Sequence, residues 1–169
     1  DRPDWGESRG TPYWMRCVKN EHVKTTHETR PDDRYKQYYK GDVIKPYHKN
    51  GKYVLVVPPS HSMALHFNAP NWLEQTMSTL KSNTDREIIV REKPYNPTIE
   101  IDHVGATVKV DRPTEHKGNI NWKDYHAMVT YNSNTLVASL ANGVPVFCDP
   151  MCAAAPISET DFSKIETPK

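Results

Sequence analysis

Tyr53-Val54-Leu55-Val56-Val57 is a run of five consecutive apolar, mostly β-branched residues with no polar residue among them. A strand with one wet face alternates apolar and polar side chains. A run without alternation belongs to a strand covered on both faces, as in a parallel sheet flanked by helices. Pro58-Pro59 end the run, and Ser60 to Asn68 read as a loop. Pro70 is a natural first helical residue. The spacing of Leu73, Met77 and Leu80 predicts a helix from Pro70 to about Ser82, closed by Ser82-Asn83-Thr84. Glu87-Ile88-Ile89-Val90-Arg91 is a second strand, so the unit is strand, helix, parallel strand.

The pattern recurs in the last third of the chain. Ala127-Met128-Val129-Thr130-Tyr131 reads as a strand and Asn132-Ser133-Asn134 as a tight polar turn. Thr135 to Asn142 reads as a short helix with Leu136, Val137 and Leu140 inward, stopped by Gly143. Val144 to Cys148 is the next strand. Between the two units the signals are thinner: Ile99, Ile101, Val104, Val108 and Val110 hint at short strands, and Asn121 is placed to cap one turn over 122–125. Pro31 to Tyr39 reads as a short helix.

Composition separates this domain from what precedes it. Leu, Ile, Val and Phe make only about 18% of the 169 residues, a level that signals disorder in highly charged chains. The net charge here is +1, and the shortage is local, since residues 1–42 hold only Val18 and Val23 of this set. The expected organisation is an irregular arm with Pro and aromatic residues over 1–42, followed by one Rossmann-like α/β domain over 43–169. Its sheet is mostly parallel and flanked by helices.

Several functions drop out. No apolar run is long enough to span a bilayer, and no basic-then-apolar leader opens the chain. No segment is basic enough for a nucleic-acid footprint. Cys17, Cys148 and Cys152 cannot all pair within one chain, which points to a reducing compartment and a cytoplasmic setting. Cys148 and Cys152 have the wrong spacing for a redox CxxC pair, and the eight histidines lack HxH or HExxH spacing, so no metal or cofactor is expected. GxGxxG, P-loop and GxSxG motifs are missing as well.

Three polar groups fall at the carboxyl ends of predicted parallel strands, the edge where open α/β sheets bind ligands. Asn132, Ser133 and Asn134 precede a helix and offer donors to an anion such as phosphate; the same turn would serve as a plain cap. Arg91 and Lys93 leave a strand two residues apart and suit a diphosphate clamp, or form a solvated strand end. Ser60 and His61 offer a hydroxyl and an imidazole between a strand and a helix, or belong to a surface loop.

The stretch AMVTYNSNTLVASLANGVPVFCDPMCAAAP, from Ala127 to Pro156, resembles the C-terminal, nucleotide-sugar-binding half of GT-B-type glycosyltransferases. Capsule-type and sialyltransferase-like enzymes, and related proteins of tailed phages and marine bacteria, come nearest. The order of elements is similar from Tyr53 to Pro168, and the wording is close over the last 45 residues or so. The tail from Asp161 to Pro168 resembles a segment after which more chain follows in the phage group. The resemblance implies that Asn132 and Ser133 hold donor phosphate and that Asn134 replaces a second Ser. Arg91-Glu92-Lys93-Pro94 takes the place of an Arg-Pro-His-Pro-like motif, with Lys93 where a His would be. It further implies transfer of a sugar from a nucleotide-activated donor to a hydroxyl acceptor, with the nucleotide-sugar as co-substrate. His61 and Asp149 are the residues near this edge able to act as base. The competing expectations are a non-catalytic nucleotide or sugar-phosphate binding module and an interaction protein that keeps the fold.

Overall fold

A computed structural model describes residues 31–38, 44–48, 50–92, 109–112 and 120–168. The expectations for residues 1–30, for Lys93, and for Ile99, Ile101, Val104 and Val108 lie outside that set. In chain order the elements are α1 (Asp33–Tyr38), β1 (Tyr53–Val57), α2 (His61–His66), α3 (Trp72–Asn83), β2 (Glu87–Arg91), β3 (Lys109–Asp111), β4 (Tyr125–Thr130), α4 (Thr135–Ala141) and β5 (Val146–Cys148). Short 3-10 turns lie at Trp122–Asp124, Ala155–Ile157 and Phe162–Lys164.

The five strands form one sheet in the order β3-β2-β1-β4-β5, and every pairing is parallel. The domain is therefore Rossmann-like α/β. The unbroken apolar run of β1 now has its physical cause. Val54 and Val56 face one core with Leu73, Met77 and Leu80 of α3. Leu55 and Val57 face the opposite core with Leu136 of α4 and Met128 of β4. With both faces dry, neither position tolerates a polar side chain, and alternation disappears.

The outer edge of β5 is covered by a strap. Glu159 exchanges backbone hydrogen bonds with Cys148 and Val146 at 2.9 and 3.0 Å, which removes the unpaired edge that would invite another chain. Beyond it the chain returns to α3. Ile165 is fully buried in the α3-side core, and Phe162 meets Trp72 edge-to-face at 6.2 Å. Arg86 then makes a bidentate pair with Glu166 and donates to the Gly51 carbonyl.

Three local expectations are corrected. Residues 61–66 are the helix α2 and not a loop; it buries only Ala64, so its sequence carries no apolar periodicity to announce it. Val137 points outward at 64% exposed, because the inward face of α4 is Leu136 with Ser139, three residues on. Ser139 is buried with its hydroxyl donating to the Val144 carbonyl at 3.0 Å. Asn121 does not cap its turn with its side chain; its amide donates to the Asp124 carboxylate at 2.8 Å. No helix among the described residues is long and apolar enough to cross a membrane.

Candidate functional site

β1 and β4 are neighbours at the centre of the sheet, yet the chain leaves them toward opposite faces: β1 leads to α3 and β4 leads to α4. The carboxyl ends of such a strand pair splay their loops apart and leave a crevice, the usual ligand position in open α/β sheets. Register brings Val57 level with Thr130, so Ser60 and His61 follow one strand end while Asn132, Ser133 and Asn134 follow its neighbour.

Thr130 joins the two ends. Fully buried, it donates its hydroxyl to the Val57 carbonyl at 2.8 Å and accepts the Ser133 N–H at 3.1 Å. The hydroxyl of Ser133 donates to Thr135 Oγ1 at 3.1 Å, and Ser60 and Ser62 place their hydroxyls 3.4 Å apart. Asn134 occupies the cap position of α4 without a side-chain capping bond. The plain-cap alternative thus falls to Ser133, whose hydroxyl accepts the Thr135 N–H at 3.4 Å. α4 is only seven residues long, and the Leu136 and Val137 N–H groups already bond to Ser133 and Asn134. An anion here would rely on the side chains of the turn more than on the helix end.

Arg91 stands elsewhere. It ends β2, separated from β4 by β1, and its guanidinium is ion-paired with Asp111, its register partner on β3. Arg112 pairs with Glu92 at 2.7 Å beside it, so the two ion pairs fasten β2 to β3. Lys93, the other half of the expected clamp, is outside the described residues.

A cleft of about 430 Å³ opens at the same edge on the α3 side. Asn68, Asn71, Trp72 and Gln75 line one wall; Tyr131, after β4, and Asp149, after β5, line the other. Asp149 Oδ1 accepts the Met151 N–H at 2.8 Å. Burial, and then the nearby Asp149 charge, push the Tyr131 phenol above its ordinary pKa. None of Asn68, Asn71 or Gln75 stood out in the sequence, because a polar residue in a loop or on a wet helix face looks like any other surface residue; Tyr131 was visible only as the end of its strand, ahead of the Asn132–Asn134 turn.

No protein-family model, curated protein or solved structure matches this chain.

The remaining chemistry is quiet. Cys148 and Cys152 are buried free thiols. A hydrogen bond with Cys152, burial and the charge of neighbouring groups drive the Cys148 thiol far above its ordinary pKa, which removes nucleophilic character. Among the described residues no group of three His, Cys, Asp or Glu is placed to hold a metal ion.

Proposed function

We propose that this domain binds a nucleotide-activated sugar at the β1/β4 edge and serves as the donor half of a glycosyltransferase acting on a hydroxyl acceptor. The observation that carries the reading is the divergence of the chain at two adjacent parallel strand ends, one followed by the hydroxyls of Ser60 and Ser62 and the other by the amides and hydroxyl of Asn132, Ser133 and Asn134. In the transfer, an acceptor oxygen attacks the anomeric carbon, the bond from that carbon to phosphate oxygen breaks, and the nucleotide leaves with the electron pair. The domain's part is to stabilise that leaving charge with Asn132, Ser133 and Asn134, with Ser60 and His61 across the crevice. Asp149 and His61 are the two candidates at this edge to take the acceptor proton, and neither is assigned as the base.

A second reading is a binding module without transfer. It is favoured by the engagement of Arg91 with Asp111, which leaves the β2 end without that cation for a leaving diphosphate. Titration calorimetry with UDP-, GDP- and CMP-sugars, paired with a hydrolysis and transfer assay, separates the two. One of the three is expected to bind, and Ser133→Ala is expected to weaken it about five- to tenfold, the worth of a hydrogen bond to an anion. Failure of all three to bind overturns both readings. Binding without turnover selects the module.

A further inference from the structure

The hollow at the amino edge of the sheet is larger, about 690 Å³, but two of its four charged side chains are spent on one another: Arg86 grips Glu166, which also accepts from Thr84. It is a joint of the fold. The 430 Å³ cleft beside Tyr131 is different in kind. Among the described residues it is lined by no lysine, arginine or histidine, and its one charge is the Asp149 carboxylate. Such a lining repels phosphate. It presents three primary amides, each both donor and acceptor, a phenol and a carboxylate. Ala69 and Trp72 add apolar surface.

Tyr131 is the sharper sign. The residue is only 6% exposed, its ring held by Trp72 edge-to-face at 6.0 Å and by Phe67 at 5.8 Å. With the ring packed, the hydroxyl end is what remains to face the cleft, and among the described residues it makes no hydrogen bond. Its oxygen is open to solvent and not sealed in the core, so it is available to a ligand in the cleft. Asp149 Oδ2, with only Oδ1 bonded to the Met151 N–H, is a second unspent group on the same wall.

We propose that this cleft is a binding site for a neutral saccharide, with Tyr131 and Asp149 reading its hydroxyls and Asn68, Asn71 and Gln75 completing the contacts. The volume lies within the range of roughly 300–1,000 Å³ typical of small-ligand sites. The cleft deepens the proposed function by giving the sugar a place distinct from the nucleotide, and it rests on that reading only for calling the sugar a donor; its lining chemistry argues for a polyol by itself.

The test is saturation-transfer NMR on the full chain with methyl glycosides of glucose, galactose, mannose and N-acetylglucosamine at millimolar concentration. At least one is expected to bind. Asp149→Asn and Tyr131→Phe, which keep shape and packing, are each expected to weaken it about five- to tenfold. Gln75→Ala, on an exposed helix position that cannot unsettle the core, is expected to weaken it about threefold. Inorganic phosphate is expected not to compete. The site is overturned if no glycoside binds, if all three variants bind as the parent does, or if phosphate displaces the sugar. Glycoside binding without any nucleotide-sugar binding would remove the nucleotide reading and leave the saccharide cleft standing. Nucleotide-sugar binding unaffected by Asp149→Asn and Tyr131→Phe, with no glycoside bound, would do the reverse.

Discussion

Thr130 ties the two central strand ends with one hydroxyl, donating to Val57, 73 residues away, and accepting from Ser133 in the next turn. Thr130→Val keeps the shape and strands both partners, the carbonyl in a dry place. A loss of about 1–3 kcal/mol is expected in urea denaturation, and the Asn132–Asn134 turn should loosen enough to weaken any ligand bound there. Unchanged stability would mean that the carbonyl finds water. Thr130 was visible in the sequence as a strand residue, but nothing marked it as a tie. A single hydroxyl in an apolar run has no periodicity, and its partner lies in a distant segment. Arg91 carries the converse lesson. Its position at a strand end was legible; its engagement with Asp111 was not, since that depends on β3 being laid beside β2 in register.

Elements were legible where burial is repetitive. α3 shows Leu73, Met77 and Leu80 inward, as their spacing requires, and β1 and β2 run where their apolar residues run. α2 was missed because one buried residue makes no pattern. α4 was found, but with Val137 turned the wrong way, because Ser139 replaces an apolar residue on its inner face. The stop of α4 is well determined: Gly143 has φ +75°, and a Cβ there would lie 2.2 Å from the Pro46 carbonyl oxygen. Gly143→Ala combines left-handed strain with that clash. It is expected to cost more than about 1 kcal/mol and to lower the thermal midpoint, while Asn142→Ala next to it, which is half-buried and loses only its bonds with Lys45 and the Ala138 carbonyl, should change it less.

At the scale of the whole molecule, the C-terminal segment is a clasp. Ile165 fills the α3-side core, and its carbonyl lies 2.9 Å from Nε2 of His126 on β4. Burial holds the His126 pKa below its ordinary value of 6.5, with Arg86 and His48 adding to that while the Ile165 carbonyl and Glu166 oppose it; Nδ1 is buried with no hydrogen-bond partner among the described residues. A ring kept neutral in the fold but protonated in the unfolded chain contributes stability that is present above about pH 6.5 and lost as pH falls through the lower folded value. Glu166 acts in the same direction further into acid. Burial raises it, but hydrogen bonds from Arg86 and Thr84 outweigh that and leave its pKa below the ordinary one. The thermal midpoint is therefore expected to fall as pH drops below about 6.5, and His126→Gln to flatten the first part of that fall. A parent protein equally stable at pH 7 and 5 would contradict this.

The sequence by itself determined that the central strands are buried on both faces, that the sheet is mostly parallel, and where the polar turns interrupt it. These follow from composition within a few consecutive residues, where burial leaves a local signature. Only the tertiary structure decided the strand order, which placed β1 beside β4 and their carboxyl ends side by side. It also decided that Arg91 serves the sheet, that Tyr131 and Asp149 share a wall, and that the tail closes the core. Each of these is a meeting between residues far apart in the chain, and such meetings leave no trace in the spacing of either partner.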